Sequence, residues 1–179
     1  DLNAMEWNPA GLSLLPPDQL VASFEHIFWF GDVEYEVLTF GQNLGETYGA
    51  GLKILYRHMP DINNDLVDEP RIQVYDLAGV LGYGLQIANF AVGLNVKFMN
   101  SHLGDVDFYG EAADLGMLVY FLERKVALGL AIQNLGPDVA NESLPLNIRA
   151  GFAYRDVYGT AGEHALNACL EFNQPLDNK

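Results

Sequence analysis

Residues 79–98 read GVLGYGLQIANFAVGLNVKF, and no charge falls between Asp76 and Lys97. On the first arm Leu81, Tyr83, Leu85 and Ile87 are apolar at odd positions, with Gly82, Gly84 and Gln86 between them. On the second arm the apolar positions are even: Phe90, Val92, Leu94, Val96 and Phe98, interleaved with Ala91, Gly93, Asn95 and Lys97. The parity switches across Ala88-Asn89. A two-residue hairpin loop there pairs Ile87 with Phe90 and puts both apolar sets on one face. The competing reading is a transmembrane helix, because about 20 uncharged residues can span a bilayer. The four glycines and the strict period of two argue against it. A helix would scatter those apolar residues around its circumference.

The same alternation extends in both directions. Before the hairpin, Leu20, Ala22, Phe24, Phe28 and Phe30 share a parity, and Gly31-Asp32 makes a tight turn. Val33, Tyr35 and Val37 carry the apolar set onward, with Leu38 and Phe40 blurring its face. Tyr48 to Tyr56 alternates against Gly49, Gly51 and Lys53, and a fourth strand runs from about Arg71 to Ile87. Beyond the hairpin come Tyr109 to Phe121, Val126 to Ile132, Leu146 to Tyr154 and His164 to Phe172. These make nine strands, several of them near the roughly 9–11 residues of a membrane-crossing strand. Long connections are expected at 58–70, 100–106 and 135–144, against short ones at 88–89 and 122–125. Outer-membrane barrels show that asymmetry. Aromatics gather near the strand ends, as interfacial girdles require.

A soluble sandwich would also alternate, but its second face should be rich in Lys, Glu and Thr. Here that face is mostly Gly, Ala and Asn, so the membrane barrel is the preferred reading. Lys and Arg number 9 against 24 Asp and Glu, a formal charge of −15, which disfavours nucleic acid and bare anionic lipid as partners. Cys169 is the only cysteine, so neither an intrachain disulfide nor a thiolate metal cluster can form. The chain opens on Asp1 without a signal peptide and reads as truncated at both ends.

Residues 1–18 do not alternate and form a separate lead-in to the strands of 19–179. Asn8 can cap a short helix with Pro9 at its first position, and Gly11 and Pro16-Pro17 should end it quickly. The run Asp1-Leu2-Asn3-Ala4-Met5-Glu6-Trp7-Asn8-Pro9-Ala10-Gly11-Leu12 resembles the WNPAGL signature of the PorV/PorQ family of FadL-like outer-membrane β-barrel proteins. Residues 93–98 (GLNVKF), Ala113-Asp114-Leu115-Gly116 with Asn134-Leu135-Gly136, and residues 144–154 (LPLNIRAGFAY) are similar to further pieces of that family. The resemblance spans most of residues 1–155 and rests on the order and spacing of the pieces.

It implies an antiparallel up-and-down transmembrane β-barrel of fourteen strands, of which nine would be present here as a partial barrel. An N-terminal hatch carrying an Asn-Pro-Ala motif would fold into the lumen, matched by Asn8, Pro9 and Ala10. FadL-like members move long-chain fatty acids or other hydrophobic compounds across the bacterial outer membrane. PorV-like members act in protein secretion and surface attachment. The implied partners are therefore membrane lipid with either a hydrophobic ligand such as a fatty acid or secretion-system proteins.

Lys53, Arg57, Lys97 and Arg149 share the face opposite the apolar one. As lumenal cations they could meet a fatty carboxylate or an acidic hatch residue such as Glu6, and an ion-pair network without ligand is the favoured reading. Asp61, Asn63, Asp65, Asp68 and Glu69 crowd one connection, but the glycine and glutamate of a calcium loop are missing, so a solvated acidic loop is expected. His26, His58, His102 and His164 lie on separate segments without ligand spacing, so no metal site is expected. Residues 11–15 lack a nucleophile elbow's second glycine, and Gly82-Tyr83-Gly84 lacks the rest of a dinucleotide loop. Asn141-Glu142-Ser143 fits a glycosylation sequon, which carries no meaning in a bacterial outer membrane. No catalytic constellation emerges, so neither an enzyme nor a cofactor is expected.

Overall fold

The computed structural model describes residues 2–62, 72–158 and 164–176. The structure is all-β, with nine antiparallel strands in one sheet, each paired to the next in sequence. They are β1 (Leu20–Phe28), β2 (Glu34–Asn43), β3 (Tyr48–Ile62), β4 (Ile72–Ile87), β5 (Phe90–Leu103), β6 (Val106–Phe121), β7 (Val126–Leu135), β8 (Leu146–Tyr158) and β9 (His164–Leu176). The up-and-down order and the strand number agree with the sequence pattern. Among the described residues β1 and β9 do not pair with each other, so the sheet is open.

The hairpin at its centre forms as the parity switch requires. Ile87 pairs with Phe90, and the register then runs unbroken to Val74 and Leu103. Ala88 takes a φ of 53°, which lets a two-residue loop follow the right-handed twist of its strands. The register places Leu81, Tyr83, Leu94, Val96 and Phe98 on one face, with Gly82, Gly84, Gly93 and Asn95 on the other.

Three expectations need correction. The connection expected at 100–106 is only Gly104-Asp105, because polar Asn100, Ser101, His102 and Asp107 continue the ladder despite breaking the apolar pattern. In residues 2–18, Gly11 does not end the short helix expected at Asn8-Pro9. These residues hold a turn of α-helix, α1 (Ala4–Trp7), then a 3₁₀ helix (Pro9–Leu14) that runs straight through Gly11. On β2 it is Leu38 and Phe40 that face outward with Phe24 and Ala22 of β1, while Val37 and Thr39 face the other way and are buried.

The two faces therefore differ in what covers them. The inner face of β2–β6 carries the N-terminal segment, whose Leu2, Met5, Leu12 and Leu15 form the core cluster with Ala4, Val21 and Val80 against it. The outer face is bare and apolar: Phe24, Leu81, Ile87, Phe98, Leu115 and Leu170 are all exposed. On β5 this outward run spans Phe90 to Phe98 before Asn100 and His102, about 26 Å of strand at roughly 3.3 Å per residue.

The borders of this apolar band slant across the sheet. The first polar outward residues along one border are His26 on β1, Glu36 on β2, Asn100 on β5, Glu111 on β6 and Gln174 on β9. That border first rises to His58 on β3 and Gln73 on β4; end to end from β2 to β9 it drops by six residues over seven strand intervals. The opposite border passes from Gln42 on β2 to Asp156 on β8 and drifts the same way. With about 3.3 Å per residue and 4.8 Å per interval, the slopes come to roughly 30–40°.

Candidate functional site: the inner face and its N-terminal segment

Asn8 anchors the N-terminal segment. Its Oδ1 accepts from the backbone N–H of Ala10 at 3.1 Å, capping the 3₁₀ helix that opens with Pro9. Its Nδ2 donates to the carbonyls of Met117 (3.0 Å) and Leu130 (3.1 Å), tying the cap to β6 and β7. One side chain thus supplies both an acceptor and two donors, which only an amide can do. Pro9 and Ala10 are buried, Ala10 fully. They lie so close to β5 and β6 that a Cβ at Gly93 would overlap Pro9 and Ala10, and one at Gly116 would overlap Asn8 and Pro9. The same holds at Gly84, whose Cβ would sit 2.6 Å from the Ser13 nitrogen. The glycine-lined face is thus a seat for backbone lying directly on backbone.

A layer of amides receives the open end of α1, whose last carbonyls have no partner within so short a helix. Asn95, fully buried, donates to the Met5 carbonyl at 2.8 Å and to Asp114 Oδ2 at 3.0 Å. Gln133 donates to the Glu6 carbonyl at 2.6 Å and accepts from Asn147 at 3.2 Å. Asp114 is also fully buried, opposite a register shift between β6 and β7 where Asn134 adopts a φ of 62°. Its Oδ1 takes the Asn134 backbone N–H at 2.9 Å and the Lys97 ammonium at 2.7 Å.

Each of the four cations expected on this face has a protein partner. Lys53 pairs with Glu6 of α1 and Arg57 with Asp76 across β3–β4. Lys97 reaches Asp114 and, at 2.9 Å, Asn134 Oδ1. Arg149 meets Glu171 at 2.6 Å and lies over the Trp7 ring, 3.9 Å from its centroid. Lys53, Lys97 and Arg149 join the N-terminal segment or the amide layer beside it, whereas Arg57 stands apart from both. Asp114 and the amides Asn95 and Gln133 had not been singled out as site residues. The resemblance had flagged Asp114 and Asn134 as separate pieces, and only the strand register joins them.

The 3₁₀ helix covers β2–β6 and leaves the inner face of β7–β9 open. Beside Trp7 this opening forms a mostly apolar cavity of about 250 Å³, lined by Ala127, Gly129, Ala131, Gly151 and Cys169, with Arg149 and Glu171 on its wall.

On the outer face, the register brings together residues that lie far apart in the chain. His26 and His58, on separate strands, both approach Glu34 and Glu36 of β2. The acidic stretch proposed as a solvated loop (Asp61, Asn63, Asp65, Asp68, Glu69) lies outside the described residues, apart from the backbone at Asp61. Among the described residues no helix is long and apolar enough to cross a membrane. Searches against protein-family models, curated proteins and solved structures returned no match.

Proposed function

We propose that this chain is part of a FadL-like outer-membrane β-barrel of the PorV/PorQ kind that binds or transports a hydrophobic small molecule such as a long-chain fatty acid. The slanted apolar band on the outer face is the observation that carries this reading. Strands of transmembrane barrels tilt by about 35–45°, so a band level with the membrane must cross them obliquely. A face of that extent left bare in water would be an aggregation hazard. In lipid it is the solvated side, and the N-terminal segment then sits as a hatch on the lumenal side.

The cavity beside Trp7 is the candidate ligand site. Small residues on β7–β9 leave room for an apolar chain, and Arg149 offers a guanidinium to an anionic head group. Arg149 would have to give up part of its contact with Glu171, which is itself half exposed. A second reading, a PorV-like protein that docks secretion partners, is favoured by how firmly Asn8, Asn95 and Gln133 hold the segment in place. A fixed plug suits a platform better than a gate.

The deciding experiment incubates the detergent-purified chain with a mixed lipid extract and analyses what co-purifies. Stoichiometric fatty acid, lost in a Gly151→Val variant whose side chain would enter the cavity, supports ligand binding. An empty protein that retains a secretion partner would overturn it.

A further inference from the structure

The outer-face border at β1–β3 holds a cluster that the inner-face site does not use. Glu34 and Glu36 project from the same side of β2, with His26 paired across to Glu36 on one flank and His58 paired across to Glu34 on the other. His26 Nδ1 lies 3.2 Å from Glu36 Oε1, and His58 Nε2 lies 3.5 Å from the same oxygen. Glu34 Oε2 is 3.9 Å from His26 Nε2 and 3.7 Å from His58 Nε2. His26, Glu34 and Glu36 can each offer a ligand atom within 4.8 Å of the others. The remaining oxygen of Glu36, Oε2, is buried and without a hydrogen-bond partner.

We infer that His26, Glu34 and Glu36, flanked by His58, form a binding site for a divalent transition-metal ion of the zinc type. An imidazole with two carboxylates is a donor set better suited to zinc than to magnesium or calcium. Ligand atoms about 2.0–2.1 Å from a tetrahedral ion stand roughly 3.3 Å apart, and His26 Nδ1 and Glu36 Oε1 stand 3.2 Å apart here. Two carboxylates at the edge of an apolar band repel each other, and a dication between them neutralises both. Ring contacts steady the imidazoles: Phe28 meets His26 edge-on at 4.4 Å, and Tyr56 stacks on His58 at 5.3 Å. All four side chains remain about one-third exposed, so an ion can reach them from water. The bound ion would link β1 and β2 at the free edge of the sheet.

Titration of Zn²⁺ into the full chain in detergent, near neutral pH, tests this inference. The expected result is saturable uptake of one ion per chain. Glu36→Gln and His26→Ala should each weaken it by at least about ten-fold. Lys125→Met, in the distant turn between β6 and β7, should leave it unchanged. Co²⁺ in place of Zn²⁺ should give the visible absorption of a four-coordinate site in the parent protein and not in Glu36→Gln. Absence of saturable uptake, or uptake indifferent to both substitutions, would overturn the assignment.

Discussion

The two halves of the sheet follow the same rule of alternation and are filled differently. On β2–β6 the small residues of the inner face are seats for residues 2–15: backbone lies on Gly84 and Gly93, and the side chains of Leu2, Met5 and Leu12 lie on Gly41, Gly51 and Gly82. On β7–β9 small residues such as Ala127 and Gly151 border the cavity instead. A run of glycine and alanine opposite an apolar face therefore has no single meaning. It is a packing surface where a second layer reaches it and a cavity wall where none does.

The buried carboxylate offers the largest contrast. Asp114→Ala should destabilise the chain by about 3–5 kcal/mol, because Lys97 and the Asn134 N–H then lose their buried partner. Arg149→Ala breaks an ion pair on the open half, where Glu171 is half exposed, and should cost only about 1 kcal/mol. Unfolding midpoints in urea, measured in the same detergent, would order the two. Equal losses would erase the distinction between the halves.

Glycine substitutions give the next contrast. Gly93→Val must displace Pro9 and Ala10 and should cost about 1–3 kcal/mol while exposing residues 2–18 to limited proteolysis. The nearest atom to a Cβ at Gly151 is the Leu170 carbonyl oxygen at 3.9 Å, so Gly151→Val should change stability by less than about 0.5 kcal/mol. Protection of residues 2–18 in Gly93→Val would show that the segment is not held by that contact.

The smallest effect lies in the β6–β7 turn. Lys125 is about half exposed, and its hydrogen bond to Asp156, 2.7 Å away, raises its pKa above the ordinary 10.5. A raised cation pKa means that the pair contributes fully below 10.5 and fades as pH rises through the folded value. The small difference in melting temperature between the parent and Lys125→Met should therefore be constant near neutrality and vanish in strong alkali. A difference that persists there would mean the pair is not its source.

Local sequence alone determined the nine strands, the hairpin at Ala88-Asn89, the apolar outer face outside β2 and the cap at Asn8-Pro9. Each is a local property: alternation of side chains is fixed by the extended backbone, and a cap by residues two positions apart. Polar strand ends such as Asn100 to Leu103 escaped that reading because only the neighbouring strand marks them as ladder. The tertiary structure decided the rest. Asp114 meets Asn134, His26 meets Glu36 beside His58, and residues 2–15 lie on Gly93 and Gly116 only once the registers are set. Register depends on pairing between distant segments, and a shift of one residue would send every one of these side chains to the opposite face.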